Sequence, residues 1–342
     1  MKPFFKCELE YSYFPHLNQI YDGFNKLSEK GIIDLSVKHS SSASSSSLKV
    51  LVDGKYTVVF DTADGLSWIP ASIEENLKYF KNNIKADFYF KRSFNQLIID
   101  NAPDNCKVFP LGLNYLITPQ KYLDTNLKRK LKFFVKKISK KTKNNCFYSN
   151  DFEFYPVRHK TNKILFLTRL WDPNEVLLEH LKKERELINK NRINFIKSCK
   201  AEFGDNFIGG IQYDNFSKKN DKDLLMPSSM TNKRNFMQTV KESNICIATK
   251  GLHDSIGWKF AEYVAASRAI ITESLSYQLP GDFNENKNYS TFKSTNDLMT
   301  NISELLDDSK KMENMMYNNY EYYNNYLRSD KLVLNALLKI YE

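Results

Sequence analysis

The segment KGLHDSIGWKFAEYVAASRAIITE, residues 250–273, joins a short loop to an amphipathic helix and then to an apolar strand. It follows the run ICIAT at residues 245–249, which has the composition of a buried strand. The loop contains Gly251 and Gly257, and the helix is predicted over residues 258–266. A strand, a glycine loop and a helix N-terminus in this order bind phosphate in doubly wound α/β domains, because unpaired N–H groups and the helix dipole face the ligand. The segment therefore predicts a phosphate site at this loop.

Two carboxylates, Asp254 and Glu262, lie eight residues apart within this unit. The first falls on the loop and the second one turn into the predicted helix. Open α/β sheets place their sites at the carboxyl ends of the strands, where both acids can face one ligand. We interpret the protein as an enzyme that acts on a nucleotide-linked substrate.

The composition limits the class of protein. A chain of 342 residues is long enough for two domains, and 42% hydrophobic residues with 14% aromatic residues exclude a disordered chain. The mean hydropathy of −0.52, the lack of an eighteen-residue apolar run and an N-terminus without an apolar core predict a soluble protein without a signal peptide.

Charge and cysteine content indicate the partners and the compartment. The net charge of +10 favours an anionic partner, which leaves nucleotides, nucleic acids and lipid head groups open. The five cysteines are scattered and form no CxxC pair, which suits a reducing cytosol and argues against a zinc knuckle.

Strands alternate with helices in both halves of the chain, which predicts an α/β fold of two Rossmann-like, parallel-sheet domains facing across a cleft. We place the N-terminal, acceptor-side domain at residues 1–157 and the C-terminal, donor-binding domain at residues 158–342, with terminal helices that pack back. The Asp53-Gly54 pair predicts a tight turn between two strands. Ser72 and Glu75 predict a capping box at a helix start.

Residues 251–272 resemble the donor-binding segment of the GT-B glycosyltransferases, which have two Rossmann domains. Many retaining members carry E-x7-E followed by E-A-x-A-x-G-x-P-V-I, and the counterpart here is Asp254-x7-Glu262 followed by YVAASRAII. The stretch GLHDSIGWKFAEYVAA is also similar to a branch of these enzymes found in bacterial surface-polysaccharide gene clusters. LFLTRLW resembles the G-R-L segment whose arginine grips the nucleotide diphosphate, which implies that role for Arg169.

The chain departs from the family pattern in two places. The first acid is aspartate, which is one methylene shorter than glutamate. The usual lysine a few residues after the arginine is absent, and Pro173, Asn174 and Glu175 stand there. Lys259 or Lys250 is the candidate replacement for its charge.

The residues also support donor binding on physical grounds. A nucleoside diphosphate leaving group develops negative charge, which fixed cations and helix-terminal N–H groups stabilise without a metal. Arg169 offers a bidentate fork for phosphate, Gly257 allows close backbone approach, and Glu262 can accept from ribose hydroxyls. The alternative for Arg169 is a surface salt bridge, and the alternative for Glu262 is a solvated charge on the helix face. The predicted donor-binding residues are Arg169, Lys250, Gly251, Ser255, Gly257, Lys259 and Glu262.

Candidate catalytic residues come from both halves. Asp254 and His253 are placed near the sugar, with helix capping and loop hydrogen bonding as the alternatives. Asp61 and Asp64 follow a buried strand and serve as candidate bases or acceptor contacts, or else form a turn.

The predicted acceptor-binding residues are His16, Lys91 and Arg92. For Lys91 and Arg92, which follow the run ADFYF, a solvated sheet edge is the alternative.

The run from Lys128 to Lys143 holds nine lysines or arginines in sixteen residues, with apolar residues at helical spacing. Two interpretations are open: the predicted helix rests on anionic lipid, or it packs its apolar face on the domain and leaves its lysines in water. We favour the first. Nucleic acid is not expected, because no interleaved aromatics or reader motif occur.

These observations predict a glycosyltransferase that moves a sugar from a nucleotide-sugar donor to a surface glycan of the lipopolysaccharide or capsule type, with a lipid-linked acceptor and retention of configuration. Inversion stays open if Asp61 or Asp64 is a base. The alternatives are an epimerase or nucleotide-sugar hydrolase of the same fold and a non-catalytic, transferase-like binding subunit. We expect a cytoplasmic protein, peripheral on the inner leaflet, without metal or other cofactor; Asp221-Lys222-Asp223 matches a metal-binding DxD only in its letters.

Overall fold

Each half of the chain builds its own six-stranded sheet. The computed structural model describes residues 3–39, 45–121 and 146–342, together with Leu123 and Leu131. The chain forms two compact units, and neither is a single continuous stretch. Unit 1 comprises Met1–Phe152, Tyr277–Gly281 and Asn324–Glu342, and unit 2 comprises Glu153–Ser276 and Asp282–Tyr323.

The sheet of unit 1 has the order β2-β1-β3-β4-β5-β6. Its strands are β1 Phe5–Tyr11, β2 Ile33–His39, β3 Ser47–Val52, β4 Tyr56–Asp61, β5 Phe88–Lys91 and β6 Lys107–Pro110. The prediction of a parallel sheet is wrong at β3, which runs antiparallel to β1 and β4. Asp53 and Gly54 have positive φ angles of 54° and 66°, as the central residues of a tight hairpin turn do. This turn folds β4 back along β3.

Five α-helices have their bounds within the described residues of unit 1, and one of them begins at the predicted capping box. They are α1 Asn18–Glu29, α2 Ile73–Asn83, α3 Gln96–Asp100, α4 Ser149–Phe152 and the C-terminal α12 Ser329–Leu338. At the start of α2 the Ser72 hydroxyl accepts from the Glu75 N–H at 3.3 Å, and the Glu75 carboxylate accepts from the Ser72 N–H at 3.0 Å. This is the predicted capping box.

The C-terminal helix α12 packs against α1 and so belongs to unit 1. Gly23 allows this approach, because a Cβ there would lie 2.2 Å from the Ser329 carbonyl oxygen. The Ser329 hydroxyl donates to the Asp22 carboxylate at 2.5 Å, and the Gln19 amide donates to the Leu327 carbonyl at 2.7 Å. The units therefore differ from the domains placed at residues 1–157 and 158–342, which assign the terminal helices to the second domain.

The sheet of unit 2 is parallel throughout, with the order β12-β11-β10-β7-β8-β9. Its strands are β7 Ile164–Thr168, β8 Phe207–Gln212, β9 Leu225–Met226, β10 Ile245–Ala248, β11 Ala269–Glu273 and β12 Ser290–Phe292. Counted along the unit, this is the doubly wound order, and the direction of winding reverses between β7 and β10. Ligands of such sheets bind beyond the carboxyl ends of the strands at this switch point.

Seven helices complete the described part of unit 2, and its central strands are buried. The helices are α5 Glu179–Phe203, α6 Asn215–Asn220, α7 Ser228–Thr231, α8 Lys233–Glu242, α9 Trp258–Ala265, α10 Thr295–Asp307 and α11 Ser309–Tyr322. Every residue of β7 and β10 is buried, as their apolar runs predict. The predicted α/β class with two Rossmann-like domains is confirmed. Among the helices of the described ranges, none is long and apolar enough to cross a membrane.

Candidate nucleotide site at the switch point of unit 2

The predicted donor-binding residues converge at the carboxyl ends of β7 and β10. Arg169 directly follows β7, and the loop at residues 250–257 leads from β10 to α9. The two strands are hydrogen-bonded neighbours, with Ile164 paired to Ile245. We call Arg169, this loop, Lys259 and Glu262 the switch-point site.

The loop after β10 is closed by its own backbone. The Gly251 N–H donates to the Ser255 carbonyl at 2.8 Å, and the Ser255 N–H donates to the Leu252 carbonyl at 3.1 Å. A Cβ at Gly251 would lie 2.6 Å from the Ser255 hydroxyl oxygen. The Lys250 N–H donates to the Glu273 carboxylate at 2.8 Å, which fixes the start of the loop. Gly251 and the buried Ser255 thus shape the loop from within.

His253 and Asp254 are exposed at the tip of this loop, and both have left-handed backbones, with φ of 59° and 54°. The His253 N–H donates to the Glu184 carboxylate at 2.6 Å. Asp254 forms an ion pair of 3.0 Å with the Lys250 ammonium. Asp254 does not cap the following helix, whose N-cap is Gly257, so the capping alternative is wrong.

The N-terminus of α9 is not capped by a side chain. Gly257 is its N-cap residue, with φ of −66° and ψ of 158°, a backbone that any residue adopts. A Cβ at Gly257 would meet no protein atom within 4 Å. The packing of the described part of the chain would therefore accept a side chain at position 257. Gly257 supplies no side-chain acceptor to the first turn of α9.

Two basic residues, Arg169 and Lys259, lie at the carboxyl end of β7. The Arg169 guanidinium is exposed and lies 3.4 Å from the centre of the Trp171 ring. The Lys259 ammonium donates to the Leu167 carbonyl and lies 4.9 Å from the centre of the Phe236 ring. Removal from water lowers the pKa of Lys259 to about 7; Glu262 opposes this shift, whereas Lys233, Arg192 and Arg169 add to it. Lys259 therefore adds a positive charge to the site only when it is protonated.

Glu262 is turned into the protein, with only 2% of the residue exposed. Its Oε1 accepts from the Lys233 ammonium, a partner that the sequence analysis missed. Its Oε2 is buried and has no hydrogen-bond partner. Buried carboxylate oxygens are nearly always hydrogen-bonded, so this oxygen has an unused capacity to accept a hydrogen bond.

Arg192 on α5 is a second residue of this region that the sequence analysis missed. Its guanidinium donates to the carbonyls of Arg169 and Lys250, at 2.7 Å and 3.0 Å. One basic residue in a helix rich in lysine and arginine gives no sequence signal of such a role.

In unit 1, Asp61 and Lys91 form a buried ion pair of 3.3 Å and are 1% and 0% exposed. Asp61 also accepts from the Tyr89 hydroxyl and from the Trp68 indole at 3.0 Å. The Lys91 ammonium donates to the Ala63 carbonyl at 2.8 Å. These contacts correct the solvated-edge alternative for Lys91 and favour a structural role for both residues.

The other predicted residues of unit 1 lie together. Asp64 forms an ion pair with Arg92, which is 6% exposed. Burial lowers the pKa of the half-buried His16, while Asp64 raises it and Arg92 lowers it further. His16 also contacts the Phe14 ring, with 5.0 Å between ring centres. The structure thus brings His16, Asp64 and Arg92 into one polar group.

Two further predictions concern lipid and metal. Apart from Leu131, the basic run from Lys128 to Lys143 lies outside the described residues. Asp221 of the DxD letters pairs with Lys197 at 3.3 Å, and no group of three or more potential metal ligands occurs within the described ranges.

No protein-family model and no curated protein match the chain, whereas solved structures do. Anabaena Alr3699/HepE in complex with UDP is 11% identical with a TM-score of 0.47, and the match covers 100% of both chains. WaaG, a glycosyltransferase of lipopolysaccharide biosynthesis, is 10% identical with a TM-score of 0.42 and coverage of 78% of this chain and 65% of its own.

A third match is to the C-terminal domain of a group 1 family glycosyl transferase, LpcC, from Francisella tularensis. It is 12% identical with a TM-score of 0.38 and covers 52% of this chain and 97% of that one. WaaG and LpcC are glycosyltransferases, the class that the sequence resemblance implies. At such identities and TM-scores we base no conclusion about activity on them.

Proposed function

We propose that the protein is a glycosyltransferase that binds a nucleotide-sugar donor at the switch-point site. The observation that carries the proposal is the buried, unpartnered Oε2 of Glu262 beside the uncapped N-terminus of α9. A sugar nucleotide has a diphosphate for the helix N-terminus and a ribose diol for the carboxylate. The resemblance of Asp254-x7-Glu262 to the donor motif of GT-B enzymes supports the same assignment.

The positive charges of the site can stabilise a nucleoside diphosphate as it leaves the sugar. Arg169 offers two parallel donors to phosphate oxygens, and the stack on Trp171 restricts its guanidinium. Lys259 and the N–H groups of α9 supply further positive potential beside it. Cations at fixed positions stabilise the charge that develops on the leaving group, so the proposal requires no metal.

The finer assignments follow the sequence analysis. Asp254 and His253 stand at the exposed loop tip, where they can contact the transferred sugar. His16, Asp64 and Arg92 form the polar group of unit 1 that we assign to the acceptor. A lipid-linked glycan acceptor, retention of configuration and a peripheral place on the inner leaflet are part of this proposal.

Thermal stability with nucleotides tests donor binding. We expect UDP or GDP and its sugar conjugates to raise Tm, because a ligand at 100 times its Kd stabilises the folded state by about 2.7 kcal/mol. Adenosine diphosphate and inorganic pyrophosphate serve as controls for base selection and for the diphosphate alone. A Tm that no nucleotide raises would contradict the proposal.

Donor turnover then separates transfer from its alternatives. A mass-spectrometric screen of nucleotide sugars with and without a glycan acceptor should show product only with acceptor, apart from slow hydrolysis. Full turnover without acceptor indicates an epimerase or hydrolase. Binding without turnover of any donor indicates a non-catalytic subunit.

Gly257→Ser separates ligand binding from folding. Serine is a preferred N-cap residue, so Tm should stay the same or rise. Its hydroxyl would accept from the N–H groups that we assign to the diphosphate, and UDP or GDP binding should weaken about tenfold or more, the value of a lost charge-assisted hydrogen bond.

The matched control for Gly257→Ser is Gly251→Ser, a change in the same loop. A Cβ at Gly251 meets the Ser255 hydroxyl oxygen at 2.6 Å, so this variant should lose Tm. Unchanged nucleotide affinity in Gly257→Ser would show that the N-terminus of α9 does not hold the diphosphate.

Lys259 should take up a proton when the nucleotide binds. Its pKa is lowered to about 7, so at pH 8 it is mostly neutral in the free protein. A diphosphate beside it raises that pKa again, so affinity should increase as pH falls from 9 to 7 and level off below. The ligand itself is fully ionised at pH 8, because its last pKa is about 6.

Binding heats at pH 8 in buffers of different ionisation enthalpy measure this uptake. We expect about 0.5 to 1 proton per nucleotide, from the shift of one coupled group. The Lys259→Arg variant keeps its charge at every pH and should bind without uptake. Zero uptake by the wild type at pH 8 would contradict the assignment of Lys259 to the diphosphate.

A further inference from the structure

Arg192 joins the ends of the two strands that flank the switch point. It lies on α5 and is 6% exposed. Its Nη1 donates to the Arg169 carbonyl at 2.7 Å, its Nη2 to the Lys250 carbonyl at 3.0 Å and its Nε to the Thr249 hydroxyl at 3.1 Å. One guanidinium therefore contacts the segment after β7 and the segment after β10.

The ladder between β7 and β10 does not extend to this end of the sheet. The ladder between β7 and β10 pairs Ile164 with Ile245 and Leu165 with Cys246, which are residues of the amino-terminal halves of both strands. Beyond these pairs, the Arg192 guanidinium connects the two chain segments where the ladder does not. Its planar, forked donors suit two carbonyls at once, which a lysine ammonium cannot span in the same way.

We propose that Arg192 is a positioning residue of the switch-point site, which sets the spacing between Arg169 and the loop at residues 250–257. This inference rests on the proposed nucleotide site, because it gives Arg192 its effect through the residues assigned to the diphosphate. Arg192 contacts the backbone carbonyls of Arg169 and Lys250 and not their side chains. If Arg169 or the loop shifts and one charge-assisted hydrogen bond to the diphosphate is lost, the affinity falls by about 10- to 100-fold.

The charge of Arg192 provides a rival explanation that substitution can separate. Burial lowers the pKa of Arg192 to about 10, and Glu273 opposes that shift. If Arg192 acted only through its positive charge on the ligand, Arg192→Lys would keep the nucleotide affinity. If it acts as a bridge, Arg192→Lys and Arg192→Met should both be defective.

The test compares Kd for UDP and GDP in wild type, Arg192→Lys and Arg192→Met at a temperature where every variant is folded. Both variants should bind about 10- to 100-fold more weakly, the effect of one lost charge-assisted hydrogen bond. The matched control is Arg268→Met, which removes a fully buried arginine at the amino end of β11, the opposite edge of the same sheet. Its Tm should fall while its Kd stays that of the wild type.

Three results would overturn the inference. They are a wild-type Kd in Arg192→Met, full recovery of affinity in Arg192→Lys, and an equal loss of affinity in Arg268→Met. If the wild type bound neither nucleotide, the proposed function would fail, and backbone amide exchange would then decide the role of Arg192. Exchange at residues 169–171 and 250–255 should be faster in Arg192→Met than in Arg268→Met, and equal rates would refute the bridge.

Discussion

Glu262→Gln is expected to weaken the binding of UDP or GDP by about 10- to 100-fold, because hydrogen bonds to a charged group contribute roughly 1.5–3 kcal/mol. Oε2 of Glu262 is buried without a partner, and Oε1 is held by Lys233. A ribose hydroxyl that donates to Oε2 would satisfy this oxygen. Glutamine keeps the size of the side chain, so the loss should fall on binding more than on folding.

Deoxynucleotides make this prediction specific to the ribose. In the wild type, the 2′-deoxy or 3′-deoxy form of the preferred nucleotide should bind more weakly than the ribonucleotide. In Glu262→Gln this difference should shrink, because the partner of the missing hydroxyl is already lost. If the deoxy penalty were the same in both proteins, Glu262 would not contact the ribose.

Lys91→Met should lower the free energy of unfolding by about 3–5 kcal/mol, the cost of leaving a buried charge without its partner. Lys91 is 0% exposed, and its ammonium lies 3.3 Å from the Asp61 carboxylate. The hydrogen bonds from Tyr89 and Trp68 to Asp61 compensate only in part. Urea unfolding of purified variants measures the change.

An exposed pair on the same sheet supplies the control for Lys91→Met. Lys49 lies 3.9 Å from Glu10, and both side chains are about half exposed, at 53% and 47%. Lys49→Met should therefore change the free energy of unfolding by less than about 1 kcal/mol. A loss in Lys91→Met as small as this would show that the buried pair is not structural and would return Lys91 to the candidate ligand contacts.

The sequence was most informative where a pattern depends on neighbours along the chain. The strand β10 and the helix α9 lie within one residue of their predicted bounds, and the capping box of Ser72 and Glu75 lies at the predicted residues. Local spacing determines these elements. The strands β9 and β12 were missed because they have only two and three residues, too few for any periodicity.

Pairings between distant residues could not be predicted. Asp61 stands at a strand end, the usual place for a functional acid, but its partner Lys91 comes from the neighbouring strand 30 residues along the chain. Lys233 and Arg192 reach the switch-point site from α8 and α5, and nothing in their own segments marks them. Only the packing of helices on the sheet brings them there.

The departure from the family motif also has a structural counterpart. The chain lacks the usual lysine after Arg169, and the positions concerned form a short 3-10 helix at Pro173–Glu175. Lys259 reaches the carboxyl end of β7 from α9 and donates to the Leu167 carbonyl. That Lys259 supplies the charge of the missing lysine stays a prediction, which the proton-uptake measurement tests.

The contact of α12 with α1 has a consequence for synthesis on the ribosome. The α1 face around Gly23 is covered by residues 329–338. All of unit 2 lies between α1 and α12 in the sequence, so it is translated before α12. The apolar face of α1 therefore stays uncovered while unit 2 is being synthesised. A nascent chain in this state is a natural client for chaperones, and α12 supplied in trans as a peptide would compete for the same groove.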